Sequence, residues 1–486
     1  MKIERYEKFI ILSILLCMLL LRAYKITVAP GLEAPQSLDE NYIGMYAAKV
    51  MNGEMITSLF YYIGPHGIYI ATISSYIFNL NIFSIRFISV LISISSFLIL
   101  YYLVRDRYGF KTAVIFSLML QLLPSYIIQI RPFYTHMINY LLFILIFYLL
   151  FKFDATKNRN IIYLIAFLIG SSIAIHIHAI YFIAALLVSS IILKITIPKK
   201  YIIYSLPFLL IGMIPFIYYN LTPCDTGELF CTFKYVQSNV FLTGKGIYNI
   251  ETMQNFIGLS KVFLFSSFNI WPSLDYLSPP EIFISCLSLF TFFILIAASV
   301  IYAAMKKNKT DLFLIFFLGI FFIENIFTLG GIGPFTLLIL LPVLFILISN
   351  LISKFKIHII ASIIIFVIVL NSLAFMKYFD NFKDNDVASI ENVAEYVKDA
   401  QKKNVVVDDW IVYYAMVFHV GNEKNVYRCY SYNETEDSVF VFYSIPAFAQ
   451  EWFTMKGTYI ACSDEFYSWV NQYLSPKTIG EYNIFS

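Results

Sequence analysis

Apolar runs long enough to cross a bilayer, roughly 20 residues, recur along this chain and are parted by short polar turns. They lie at about 8–28, 83–104, 111–130, 134–152, 161–177, 179–195, 201–219, 281–305, 311–329, 333–352 and 357–376. The stretch 161–195 is either one long helix or two short spans parted near Ser171-Ser172 and His176-Ile177-His178. This periodicity predicts an all-α polytopic membrane protein with about 11 transmembrane helices.

Two stretches break the pattern. In 37–54, Tyr42, Met45, Tyr46 and Val50 recur at helical spacing among the polar Asp39, Lys49 and Asn52. Ser37 and Glu40 have capping-box spacing, and Asn52-Gly53 reads as a stop. An amphipathic helix at the membrane surface is expected there. From about 380 the chain turns charged and mixed, with strands expected at Asn404–Val407, Ser438–Tyr443 and Thr458–Cys462 and helices at Val387–Lys402 and Ser463–Tyr473. The expected division is therefore a membrane domain over 1–379, with outer loops 29–82 and 220–280, and a small C-terminal α/β domain over 380–486.

Composition fits a chain that lives in lipid. It is 59% hydrophobic and 13% charged, against about 25% charged in soluble domains. A net charge of +3 is too small to suggest nucleic acid. Met1 to Lys8 is basic and precedes an apolar run with no A-x-A-like cleavage site, which reads as an anchor.

Charge also sets the expected orientation. With the N-terminus cytoplasmic, alternate loops carry Arg105, Arg107 and Lys111; Lys152, Lys157 and Arg159; Lys194, Lys199 and Lys200; Lys306, Lys307 and Lys309; and Lys354 and Lys356. This alternation requires that 64–80 not cross the bilayer, so that segment reads as a second surface or re-entrant helix. The outer face then holds Cys224 and Cys231 in the long loop and Cys429 and Cys462 in the tail, two candidate disulfide pairs in an oxidising compartment. Asn433 heads an N-glycosylation acceptor on the same side.

Several motifs, in order, carry a resemblance. They are Leu21-Arg22-Ala23-Tyr24, then Asp39-Glu40-Asn41-Tyr42, Gly64-Pro65-His66-Gly67, the run from Arg86, Gln129-Ile130-Arg131-Pro132, and His178-Ala179. In this order and spacing the chain resembles the lipid-dependent glycosyltransferases of the C superfamily. That group includes the protein O-mannosyltransferases and the aminoarabinose transferases of lipid A. The likeness covers about residues 10–200 well and the rest by layout. The second motif lacks the family's Pro-Pro pair, and Pro334-Phe335 stands where an Arg-Tyr usually precedes a Leu-Leu-Pro-like run.

The resemblance implies a polyprenyl-phosphate sugar donor, as with dolichyl phosphate and mannose, and inverting transfer to a glycan, lipid or protein acceptor outside the cytoplasm. Asp39 matches the catalytic carboxylate, with Glu40 beside it. Both also have local uses, since a helix N-terminus favours acids and Glu40 suits a cap. Arg131, Arg22, His66, His178 and Tyr42 are the candidates for binding donor and substrate. For Arg131 the reason is that guanidinium pairs with phosphate through two parallel hydrogen bonds. An interfacial arginine with its head in water is the alternative for Arg131 and Arg22.

No cofactor is required. A divalent metal is not supported by ligand spacing, because His176 and His178, two apart, fall on different helix faces. The rival readings are a flippase for lipid-linked sugars, a non-catalytic scaffold, and an oligosaccharyltransferase, whose Trp-Trp-Asp signature is absent.

The orientation has a direct check. Reporter tags at 108, 156, 197, 308 and 355 are expected to be cytoplasmic, and tags at 226 and 430 external. An external tag at 108 would overturn the surface-helix reading of 64–80.

Overall fold

The computed structural model describes residues 2–23, 26, 38–53, 64–121, 123, 126–127, 130–131, 133, 135–176, 179–195, 197–221, 279–326, 334–356, 358–359, 362–363, 397–399, 404–407, 425–428, 438–443, 476–479 and 482–485. The chain divides into two compact units. The first comprises Met1–Tyr24, Ile56–Gly67 and Phe87–Tyr378; the second comprises Lys25–Met55, Ile68–Arg86 and Phe379–Ser486.

The helices are α1 (Lys2–Ala23), α2 (Leu38–Met51), α3 (His66–Phe78), α4 (Ile82–Tyr108), α5 (Phe110–Gln121), α6 (Thr135–Thr156), α7 (Arg159–Ile175), α8 (Ala179–Ile192), α9 (Lys199–Leu221), α10 (Pro279–Lys306), α11 (Lys309–Ile326) and α12 (Pro334–Ile352). Each expected apolar run from 8–28 to 333–352 contains one of them, and 357–376 lies largely outside the described residues. Among the described residues, Ile82–Tyr108, Thr135–Thr156 and Lys199–Tyr218 are long and apolar enough to cross a membrane. The stretch 161–195 is two helices, parted at His176.

Within the run 111–130, α5 is described to Gln121. Beyond it, the Ile127 N–H bonds the Leu123 carbonyl at 3.0 Å and the Ile130 N–H that of Tyr126 at 3.1 Å, both at helical spacing.

Within the first unit, α6, α8 and α11 share an aromatic core. Phe143 stacks on Phe182 at 3.9 Å, and Phe147 meets Phe182 at 5.3 Å and Phe317 at 4.7 Å. Polar side chains gather at one end of this unit. Arg105 near the end of α4 pairs with Glu7 at the start of α1, which also accepts from the Tyr101 hydroxyl. Tyr108 donates to Asp311 at 2.6 Å, Asn350 donates to the same carboxylate, and Lys111 donates to the Ser353 carbonyl at 2.6 Å. Lys157 and Lys309 share Asp154. The basic turns of the sequence thus converge.

The Glu7–Arg105 pair also bears on the path of the chain. The start of α1 and the end of α4 lie at one end, so the chain between them returns to the side it left. At 1.5 Å per residue, the 13 residues of α3 reach only about 20 Å, short of a bilayer core of about 30 Å. Both observations are consistent with the surface or re-entrant reading of 64–80.

α7 and α9 cross closely on glycine. A Cβ on Gly212 would lie 2.3 Å from the Phe167 carbonyl oxygen, and one on Gly170 would lie 2.2 Å from that of Leu209. Tyr163 stacks on Phe208 beside the crossing, with ring centroids 5.1 Å apart. Small residues at such crossings are how membrane helices approach without water to drive them together.

The second unit holds a five-stranded mixed sheet. Its strands are β1 (Asn404–Val407), β2 (Asn425–Arg428), β3 (Ser438–Tyr443), β4 (Pro476–Ile479) and β5 (Tyr482–Phe485), in the order β2-β1-β3-β5-β4. β1 pairs in parallel with β2 and β3, while β5 runs antiparallel to β3 and β4. β1 and β3 coincide with the expected strands. Thr458–Cys462 and all but 397–399 of the expected helices lie outside the described residues, as do the side chains of Cys224, Cys231, Cys429 and Cys462.

The glycine crossing yields a stability prediction. Gly212→Val is expected to lower the melting temperature in detergent, by an overpacking cost of about 1–3 kcal/mol. Gly319→Ala, with no atom within 4 Å of the added methyl, serves as the neutral control. Equal melting of the two variants would refute the tight seam.

Candidate active site

Asp39 and Glu40 stand in the first turn of α2. Gly53 ends the segment with φ +84, and its N–H bonds the Val50 carbonyl at 3.0 Å. The expected surface-lying amphipathic helix is corrected. Glu40 and the consecutive residues Tyr42, Ile43, Gly44 and Met45 are all buried, so this turn of the helix is enclosed on every side, whereas Tyr46 and Ala48 to Met51 are partly exposed. Tyr42 packs on Tyr46 at 4.6 Å, and Lys49 lies over the Tyr46 ring.

Glu40 is committed to a partner absent from the sequence-based site. Arg86, in the first turns of α4, donates from Nε at 3.0 and 3.1 Å and from Nη2 at 2.8 Å to the two Glu40 oxygens. Its Nη1 donates to the Ile26 carbonyl at 2.8 Å. Both side chains are completely buried. This geometry makes Glu40 an anchor for α2, not a second proton acceptor. The Asp39 and Ser37 side chains lie outside the described residues.

α3 joins the same anchor. Asn79 (φ 63) closes α3, and Asn81 caps α4 by accepting from the Ser84 N–H at 2.8 Å. Ser74 donates to the Ser84 carbonyl at 2.6 Å, two residues from Arg86. The buried face of α3 carries Ile68, Ala71, Thr72 and Ser75, whereas Tyr69, Ile73, Tyr76 and Ile77 are exposed. An apolar, tyrosine-bearing face of this kind suits a membrane interface.

In the first unit, a second polar cluster gathers at the C-terminus of α1. Arg22 and Arg131 are fully buried, which replaces the interfacial reading for both. Arg22 donates to Gln121, the last residue of α5, and to the Met18 carbonyl at 3.4 Å. Arg131 donates to the Leu21 carbonyl at 3.3 Å, one of the terminal carbonyls of α1. Tyr126 and Tyr140, joined hydroxyl to hydroxyl at 2.5 Å, flank Arg22. Arg22 Nε, Gln121 Nε2, Thr135 Oγ1 and Asn139 Oδ1 are buried with no hydrogen-bond partner. A buried polar atom without a partner invites a ligand.

The Gly-Pro-His-Gly segment is pinned nearby. Gly64 N–H donates to the Ile175 carbonyl at 2.8 Å, and a Cβ there would meet the Ala174 carbonyl oxygen at 1.9 Å. His66 begins α3 with Nδ1 buried and unpartnered, and burial holds its imidazole below the usual histidine range. The His176 and His136 rings meet at a tilt of 43°, with centroids 3.9 Å apart, while His178 lies outside the described residues.

Sequence reasoning missed Arg86, Gln121, His136 and the Tyr126–Tyr140 pair. A charge inside an apolar run requires a partner. On that ground Arg86 within 83–104 was a legible call for an acid, and Glu40 the answer.

The comparisons agree on the fold. The family model described as dolichyl-phosphate-mannose-protein mannosyltransferase matches residues 64–219. Two crystal structures of ArnT from Cupriavidus metallidurans are similar along nearly the whole chain. The one bound to undecaprenyl phosphate has a TM-score of 0.64 at 10% identity, covering 99% of this chain and 97% of that one. The apo state has a TM-score of 0.65 at 10% identity, covering 100% and 98%. The oligosaccharyltransferase of Archaeoglobus fulgidus, in complex with Zn and sulfate, reaches 0.50 at 12% identity, covering 86% of this chain and 62% of that one. No curated protein matches in sequence. The resemblance to the C-superfamily glycosyltransferases therefore holds at the level of the fold.

Removal of one partner from the buried pair is the test of the anchor. Glu40→Gln is expected to destabilise by about 3–5 kcal/mol, because it leaves a buried guanidinium uncompensated. Glu40→Leu combined with Arg86→Met is expected to melt well above Glu40→Gln. Thermal unfolding of the three proteins checks this, and a single variant as stable as the unmodified chain would contradict the burial.

Proposed function

We propose that this chain is an integral-membrane glycosyltransferase that moves a sugar from a polyprenyl-phosphate donor to an acceptor hydroxyl. The observation that carries the reading is the full-length fold match to ArnT, one of whose structures holds undecaprenyl phosphate. The family-model match over 64–219 supports the same class and suggests mannose as the sugar. About eleven spans, a cytoplasmic N-terminus, and an outer position for the loops and an α/β C-terminal domain complete the proposal.

In this mechanism Asp39 takes the proton of the acceptor hydroxyl as its oxygen attacks the anomeric carbon. The bond from that carbon to the phosphate oxygen breaks, its electron pair leaves with polyprenyl phosphate, and the anomeric centre inverts. The Glu40–Arg86 pair supports this division of labour. It neutralises the neighbouring carboxylate and fixes the turn that bears Asp39.

Arg131 and Arg22 are assigned to the donor phosphate, a role favoured by the unpartnered Nε of Arg22. His66 and His178 are assigned to polar groups of the donor, and Tyr42 to substrate through the wall that it builds with Tyr46. No divalent metal is assigned, since the leaving phosphate meets arginine.

Asp39→Asn keeps size and a place in the first helical turn. With purified protein, a polyprenyl-phosphate sugar and acceptor, it is expected to lose about 10²–10⁴ in rate, with donor binding little changed. Near-normal transfer would reject Asp39 as the base. Movement of sugar-lipid across vesicles without transfer by the unmodified protein would favour a flippase.

A further inference from the structure

Among the described residues, four that are not glycine have positive φ: Asn79 (63), Lys157 (54), Lys194 (51) and Lys307 (51). Asn79 is unsurprising, because asparagine tolerates the left-handed region. The other three are lysines at one kind of place. Lys157 follows the end of α6, Lys194 ends the turn after α8, and Lys307 follows α10. Each is tied back into its helix, Lys157 N–H to the Phe153 carbonyl at 2.7 Å, Lys194 to Ile191 at 3.0 Å and Lys307 to Ala303 at 3.2 Å.

This is the helix-closing position where glycine is the unstrained choice, as Gly109 (φ 88) is after α4. Lysine there pays a steric cost that glycine avoids.

The three lysines share the basic end of the first unit. Asp154 binds Lys157 at 2.7 Å and Lys309 at 3.1 Å, and Lys307 stands two residues before Lys309 in the chain. Phe143 and Phe182 stack face to face. From that pair α6 and α8 run on to Lys157 and Lys194, about 21 and 18 Å further along at 1.5 Å per residue. All three lysines are exposed, as are Arg159, Lys199 and Lys200 at the same end. Of the described acids at this end, Glu7 is engaged by Arg105, Asp311 by Tyr108 and Asn350, and Asp154 by two lysines, while Asp106 is exposed and lies 3.9 Å from Arg105.

We infer that Lys157, Lys194 and Lys307 form a binding surface for the anionic headgroups of phospholipids in the leaflet at this end. The helices that carry them belong to the membrane bundle, so the end of each meets a headgroup layer. A positive φ turns each residue out of its helix at the end that the helix dipole makes negative, a place that favours a cation. The inference rests on the membrane reading of these helices and not on the sugar-transfer chemistry.

The test uses the full chain in detergent, with thermal unfolding followed as phosphatidylglycerol or phosphatidylcholine is added. For the unmodified protein, phosphatidylglycerol is expected to raise the melting temperature beyond what phosphatidylcholine does. The half-saturating phosphatidylglycerol concentration is expected to rise about fivefold per lysine replaced, less at Lys157, which Asp154 partly neutralises.

The triple variant Lys157→Gly, Lys194→Gly, Lys307→Gly removes charge and strain together. It should melt no lower than the unmodified chain in phosphatidylcholine and lose the phosphatidylglycerol increment. The Lys→Asn triple, also tolerant of positive φ, should behave alike. Retention of the increment by either variant, or equal losses in both lipids as a pure helix-dipole role requires, would overturn the inference. So would an increment that nucleic acid or an acidic protein supplies and phosphatidylglycerol does not.

Discussion

Glu40 and Arg86 meet where neither side chain touches solvent, and the geometry of the second unit's helices depends on that meeting. Stripping water from two charges is costly, and only close contact with the remaining donors engaged offsets it. Here Nε and Nη2 bind the carboxylate and Nη1 binds the Ile26 carbonyl. A guanidinium is suited to the task because its planar fork can serve a carboxylate and a carbonyl together. The pair ties α2 to the start of α4. Through Ser74 and Ser84, the start of α4 is tied in turn to α3.

The first unit solves a different problem, which is to hold short apolar helices together where lipid gives no hydrophobic drive. It uses aromatic interlock in the middle, glycine contact between α7 and α9, and polar clasps at the ends. The clasps are economical. Asp154, Asp311 and Glu7 each gather partners from elements far apart in sequence. At the opposite end, Arg22 and Arg131 converge on the C-terminus of α1, where Arg22 Nε and Gln121 Nε2 are unpartnered donors and Thr135 Oγ1 and Asn139 Oδ1 lie buried without a partner.

Much of this was legible along the chain. Apolar length and basic turns located the helices, and the need for consistent charge alternation demoted 64–80 from a span, a reading that the Glu7–Arg105 contact supports. β1 and β3 stood out as short β-branched runs, whereas β2, β4 and β5 carry Asn, Lys, Pro and Tyr and lack a clear alternation. The enclosure of α2 could not be seen, because its moderate polarity is matched by neighbours distant in sequence. Glu40 illustrates the limit. Capping spacing is a local signal, and a long-range arginine is a stronger partner that no local pattern reveals.

The apolar outer face of α3 bears on where chemistry at Asp39 would take place. Tyr69, Ile73, Tyr76 and Ile77 set how deeply that helix settles into the headgroup zone. The serine contact and the buried ion pair carry this setting, without a flexible joint, through the start of α4 to the first turn of α2. The immersion of that turn is thereby a gauge of the surrounding lipid. A thicker or more ordered leaflet would shift the level at which it meets water, and with it, in the proposed mechanism, the ease with which a proton leaves the site.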